Sequence, residues 1–160
     1  MQAKRTILLA AILTGAGLLA ACQPSTQTAT PQATSSAGPV SRWYQAQQVA
    51  RGAEVFRQNC AACHGANAEG APNWQKPGPD GKYPAPPLNG TAHAWHHPIA
   101  SLKDTIRNGT ARLGGSMPPW KEKLSDADIE AAIAWFQSHW PDELYAAWAR
   151  MDEESRRVRR

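Results

Sequence analysis

The sequence predicts an all-α domain with long loops, and three observations carry that prediction. Apolar residues recur at helical spacing in separate segments between Trp43 and Phe136. No stretch sustains the alternation of a half-buried strand. The segment from Asn73 to Gly90 is dense in proline and glycine, which forbids regular structure there. At 160 residues the chain suits one domain with appendages, and it shows no internal repeat.

The first helix lies in "WYQAQQVARGAEVFRQNC", where Val49, Gly52, Ala53 and Phe56 share one face. A glycine inside a helix costs about 1 kcal/mol relative to alanine, so a second element is expected to cross closely at Gly52. A long loop follows. A second helix is predicted from Pro98, at its first position, to Asn108, with Ile99, Leu102 and Ile106 apolar and Gly109 as the stop. The third begins at Ser125, with Asp128 completing a capping box, and buries Ile129, Ala132, Ile133 and Phe136. Pro141 ends it. "PDELYAAWARM" then restarts as a short amphipathic helix with Leu144, Trp148 and Met151 on one side. The fold class is therefore all-α, three core helices plus a short C-terminal one.

The N-terminus reads as a targeting device. Lys4 and Arg5 precede the apolar run "TILLAAILTGAGLLA", and "LAAC" closes it with small residues before Cys22. This resembles the lipobox of bacterial lipoproteins, so residues 1–21 are expected to be a signal peptide and Cys22 the lipid attachment site. From Gln23 to Ser41 the residues are almost all Pro, Ser, Thr, Ala and Gln, with no charge and one branched aliphatic, Val40, and residues 22–42 thus have a composition that cannot offset chain entropy. They are expected to form a disordered tether with a reach of roughly 25 Å. The expected domain spans 43–140, and 141–160 forms the C-terminal helix and a basic tail.

Net charge is +4, but it resides at the ends. Between Trp43 and Ala149 nine basic residues face ten acidic ones, so no basic surface for nucleic acid is implied. The tail arginines Arg156 and Arg157 pair with Asp152 and Glu153 at i, i+4, so part of the tail is expected to extend the last helix, and its arginines read as a solvated face, with anionic lipid or an acidic partner as the alternative.

The three cysteines, Cys22, Cys60 and Cys63, exclude a disulfide framework and a four-cysteine zinc site. Cys60 and Cys63 stand in "CAACHG". A redox dithiol of that spacing needs a strand-to-helix turn, which a helical chain does not offer. Covalent haem attachment accounts for both thiols and for His64, the next residue, as a ligand to the iron. It also explains how a chain with few aliphatics and long loops reaches a sufficient core, since the macrocycle adds buried apolar surface.

Gly52 and Phe56, "CAACHG", "PPLNG", "IRNG", "MPPW" and "LSDADIEAAIAWF" together resemble a class I monohaem cytochrome c over roughly Trp43 to Trp140. The resemblance implies the cytochrome c fold around one haem c. It implies that Cys60 and Cys63 form thioethers and that His64 is the proximal ligand, with its second ring nitrogen bonded to the carbonyl of Pro86. Leu88 would pack on the macrocycle, and Gly52 and Phe56 would meet the last core helix near Ile133 and Trp135.

The distal ligand is expected on a loop well after the haem box, and Met117 in "GGSMPPW" fits. Gly114 and Gly115 let the backbone turn, and Pro118 and Pro119 stiffen the exit. A His/Met pair raises the reduction potential and leaves no open coordination position. Such a site is that of an electron carrier rather than a catalyst. In "HAWHH", His93, His96 and His97 offer a transition-metal site or an alternative iron ligand, set against plain packing, capping before Pro98 or solvation.

The expected function is electron transfer by a membrane-tethered domain on the periplasmic side or outer face of the cell envelope. Its redox partners would be a dehydrogenase or cytochrome complex as donor and a terminal oxidase or reductase as acceptor. The alternatives are a haem-bearing subunit of a larger oxidoreductase and a haem sensor or peroxidase-like catalyst.

Overall fold

The structure is a computed structural model and describes residues 40–160. The expected signal peptide, Cys22 and nearly all of the tether lie outside the described residues. Within them all regular structure is helical: α1 (Ala46–Asn59), α2 (Ala61–His64), α3 (Ile99–Asn108), α4 (Asp126–Ser138) and α5 (Asp142–Val158), with 3-10 turns at Ala94–His96 and Ala111–Leu113. The fold is all-α, as expected, and no described helix is long and apolar enough to cross a membrane.

The core is built on the crossing of α1 and α4. A Cβ at Gly52 would overlap the carbonyl oxygen of Ala131 and lie 2.8 Å from the Cβ of Trp135. Glycine is the one residue that lets the two backbones come this close. The crossing point on α4 is thus Ala131 and Trp135, which share a face one turn apart, rather than Ile133. Phe56, fully buried, packs 4.3 Å from Trp135. Val55 joins the buried face of α1 beside Gly52 and Phe56, while Val49 and Ala53 stay half-buried.

α4 starts as its sequence predicts. The hydroxyl of Ser125 accepts the Asp128 N–H at 3.1 Å and donates to the Asp128 carboxylate at 2.8 Å. Arg51 of α1, together with Lys103 and Arg107 of α3, forms ion pairs with Asp128, Glu130 and Asp126, so both neighbouring helices are tied to α4 along its first two turns.

α5 runs for 17 residues, longer than a short helix, because the i, i+4 pairs Asp152–Arg156 and Glu153–Arg157 carry it through the tail as their spacing predicts. Its buried face is Tyr145, Trp148 and Asp152, with Leu144 and Met151 only half-buried. Asp152, 1% exposed, accepts the backbone N–H of Ile99 at 2.8 Å. A side chain 53 residues away thus satisfies one of the free donors that open α3. Pro98 therefore sits just outside the helix in extended conformation rather than at its first position.

Two indoles pin the long loop to these helices. Trp140 Nε1 donates to the carbonyl of Leu88 at 2.7 Å, and Trp148 Nε1 donates to that of His97 at 2.9 Å. The chain enters against the same side: Arg42 stacks 4.0 Å over Tyr145 and pairs with Asp142, and the Trp43 N–H donates to the Tyr145 hydroxyl at 2.9 Å.

Candidate functional site

Cys60 ends α1 and begins α2. Its N–H donates to Phe56 O at 2.8 Å, and its own carbonyl accepts from Cys63 at 3.1 Å and His64 at 2.9 Å. A backbone angle of φ −117° at Cys60 interrupts the helix, and the single turn that follows stops at Gly65, whose φ is +79°. Residues three and four apart on one turn share a face, so Cys60, Cys63 and His64 converge on one side. Both thiols are free, Cys60 half-buried and Cys63 exposed. Burial, with the neighbouring Cys63 as a smaller cause, pushes the Cys60 thiol up to about 11.

His64 is buried, 9% exposed, and its Nδ1 lies 2.9 Å from the carbonyl oxygen of Pro86. A carbonyl only accepts, so Nδ1 carries the proton and Nε2 presents its lone pair. Burial lowers the His64 pKa from its ordinary value, the Pro86 carbonyl pulling the other way, and the ring stays neutral at neutral pH. Pro86 is held in turn by a lattice of main-chain bonds. Gly70 N–H donates to His64 O at 2.7 Å, Ala71 N–H to Ala85 O at 2.9 Å, and Leu88 N–H to Ala68 O at 2.8 Å. Gly70, at φ +80°, allows the approach, since a Cβ there would lie against Pro87. Leu88 is half-buried against the core.

Met117 is half-buried in the loop that follows α3. Its carbonyl accepts the Thr110 N–H at 3.0 Å, and its own N–H donates to Thr110 Oγ1, also at 3.0 Å. Gly109, φ +66°, passes directly under this strand, where a Cβ would meet Met117 O at 2.5 Å and the Pro118 carbonyl carbon at 2.7 Å. Gly114 turns the backbone in the left-handed conformation, at φ +76°. Gly115 instead makes room, because a Cβ there would overlap the Thr110 hydroxyl. Beyond Pro119 the strap is secured by Trp120, whose N–H donates to Ile106 O at 3.1 Å. Nothing in the pattern around Thr110 or Trp140 singles either out, because each acts through a backbone partner distant in sequence or across a turn.

The three histidines of "HAWHH" are tied up with aromatic rings. His96 stacks on Trp95 at 3.6 Å, and His93 lies 5.7 Å from Trp74 and 5.8 Å from His97. Partial burial, and then the charges of His93 and His96, lower the His97 pKa. Among the described residues no group of three or more His, Cys, Asp or Glu side chains is placed to hold a metal ion.

An all-helical fold in which a paired-thiol turn ends on a carbonyl-oriented imidazole is that of a c-type cytochrome domain. The family model described as cytochrome c oxidase, cbb3-type, subunit III matches residues 47–136, and the chain belongs to that family. It is 42% identical over 84 residues to the cbb3-type cytochrome c oxidase subunit CcoP of Azospirillum sp. (strain B510), covering 52% of this chain and 26% of that protein. It is 35% identical over 94 residues to the FixP subunit of Bradyrhizobium sp. (strain ORS 278), covering 59% and 28%. To cytochrome c6 of Bryopsis maxima it is 31% identical over 86 residues, 52% of this chain and 83% of that protein. The chain thus spans between a quarter and a third of the CcoP and FixP relatives and most of the cytochrome c6. No solved structure gives a significant match.

The cofactor of this family is covalently bound haem c. The donor set fits it. Two free thiols three residues apart and a buried neutral imidazole with one nitrogen already engaged offer two attachment points and one ligand atom.

Proposed function

We propose that the chain is a one-electron carrier domain in which Cys60 and Cys63 hold the haem through thioethers and His64 and Met117 are the axial ligands. Bound there, haem supplies a ferric/ferrous couple. The observation that carries the reading is the His64–Pro86 hydrogen bond, which fixes the tautomer of a buried imidazole next to both thiols. Proton transfer has no part in it: Nδ1–H stays with the Pro86 carbonyl and Nε2 acts only as an electron-pair donor. Leu88, on the segment held by Trp140, would cover the macrocycle and exclude water. A soft thioether from Met117 favours the ferrous state and raises the potential over that of a bis-histidine site. With His64 and Met117 both donating to the iron, no position would be left for a substrate, and the domain would carry electrons rather than catalyse a reaction.

Cys22 would anchor the chain by lipid to a membrane, on the periplasmic side or the outer face of the cell envelope, residues 22–42 would tether it, and the domain would deliver electrons to a terminal oxidase or reductase. The tether raises the local concentration for small, transient encounters. A second reading is a dedicated haem subunit of an oxidase complex, and it is favoured by the names of the CcoP and FixP relatives. Size separation of detergent extracts distinguishes the two, since a shuttle runs mainly alone.

The test of the ligand assignment is an optical redox titration of the parent and of Met117→Ala. The parent is expected to give a low-spin haem of high potential with the far-red charge-transfer band of ferric methionine ligation. The variant should lose that band. An identical spectrum from the two proteins would remove Met117 from the site.

A further inference from the structure

Met117 is the last residue of a loop that Thr110 closes at several points. Thr110 N–H donates to Met117 O, and Met117 N–H donates to Thr110 Oγ1, both at 3.0 Å. The Thr110 carbonyl accepts from Leu113 at 2.8 Å and from Gly115 at 2.9 Å. One residue therefore engages both main-chain groups of Met117 and anchors the turn that leads to it. Most of these bonds use the backbone of Thr110 and would survive any ordinary substitution. The bond to the Met117 N–H does not: it needs a hydroxyl on the Thr110 side chain. The loop is shaped to leave room for that hydroxyl, because a Cβ on Gly115 would occupy its place.

We infer that the Thr110 hydroxyl is a positioning group that holds Met117 against the iron, so that losing it raises the population in which the methionine has swung away. The inference rests on Met117 being the distal ligand. The hydroxyl accepts the Met117 N–H and fixes the backbone from which the thioether side chain extends. The remainder of the strap, at Pro118 and Pro119, is stiff on its own account. The Thr110 hydroxyl is thus the side-chain group that ties down the methionine backbone on the entry side of the strap. A half-buried N–H that loses its acceptor gains by turning outward to water, which pulls the loop open.

The experiment is imidazole binding to the ferric full-length holoprotein. An added ligand competes with the methionine, so its apparent affinity rises with the fraction of protein in the open form. Thr110→Val keeps the side-chain shape and removes the hydroxyl. It is expected to bind imidazole about tenfold more tightly than the parent. Gly115→Ala, which crowds the hydroxyl while leaving residue 110 a threonine, should act in the same direction. Thr110→Ser should stay within about twofold of the parent, because it restores the acceptor. Ser125→Ala weakens the fold through the α4 cap and leaves the loop alone, so it should match the parent. Parental affinity in Thr110→Val would overturn the inference, as would an equal gain in Ser125→Ala or no rescue by serine. Met117→Ala, run alongside, keeps the two readings apart. If it matches the parent in spectrum and in imidazole affinity, the ligand assignment fails and the clamp with it. If Met117→Ala loses the methionine signature while Thr110→Val stays parental, the clamp alone fails.

Discussion

The backbone of Gly52 on α1 rests directly against the carbonyl of Ala131 on α4, with no room for a single added carbon between them. This contact sets the distance between the two helices that form the core, and Phe56, one turn beyond, carries it on to His64 at a ring separation of 6.5 Å. Gly52→Ala would improve helix propensity by about 1 kcal/mol but force the backbones apart. Overpacking of a tight core costs about 1–3 kcal/mol, and the overlap here is with backbone rather than a movable side chain. The variant is expected to unfold at lower denaturant and to yield less haem-loaded protein. A midpoint equal to the parent's in chemical denaturation would show that the helices can separate freely.

Asp152 joins the C-terminal helix to the start of α3 through a buried carboxylate, which also pairs with Arg156. Asp152→Ala would leave the Ile99 N–H without its acceptor and remove one partner of a charge pair, an expected loss of about 1–3 kcal/mol. Asp152→Asn keeps an acceptor oxygen and should lose less. Equilibrium unfolding of the two variants checks the order, and equal losses would mean that the charge rather than the cap is what stabilises.

Most of this fold is legible where local chemistry decides it. Ser125 and Asp128 mark the start of α4 because a cap is a contact within four residues, and "CAACH" gathers two thiols and an imidazole within five. What escapes is set at long range. The start of α3 shifts by one residue because a carboxylate from α5 serves as its cap. The buried stripe of α5 runs through Tyr145 and Asp152 rather than Leu144 and Met151. A buried aspartate cannot be inferred from hydrophobic periodicity, since only its partners make burial tolerable. At the site, His64 is read from its place after the two cysteines and Pro86 only from the family resemblance, whereas Thr110 is one polar residue among many until its distance to Met117 is known.

The ion pairs around α4 and α3 carry a pH signature. Hydrogen bonds from Arg107 hold Asp126 below the ordinary carboxylate range, those from Arg112 and Asn108 do the same for Asp104, and those from Ser125 and Arg51 for Asp128. A folded-state pKa lower than the unfolded one contributes stability above the unfolded value, about 4, which is lost as pH falls through the folded value. The thermal midpoint is therefore expected to be flat above about pH 5 and to decline below about pH 4. All three carboxylates are near the surface, so the effect is modest and shrinks with added salt. A variant with Asn at 104, 126 and 128 should show a shallower decline. Parallel acid curves for the two proteins would assign the loss to other groups.

Covalent capture of the cofactor makes the most direct prediction about Cys60 and Cys63. The two thiols differ in setting, Cys60 half-buried at the end of α1 and Cys63 exposed one turn later, yet both lie on the face that His64 shares. If both form thioethers, protein from a host that matures such cofactors keeps its colour through acidified acetone, which extracts haem held only by coordination. Cys60→Ala and Cys63→Ala should each retain the pigment through the remaining bond, with the absorption of a single-thioether haem after denaturation in alkaline pyridine. The double variant should release it entirely. His64→Ala separates attachment from ligation, because the thioethers do not depend on the imidazole; any pigment it keeps should resist extraction but lose the low-spin spectrum. Colour that washes out of the parent protein would remove both cysteines from the role given to them, whatever the fold.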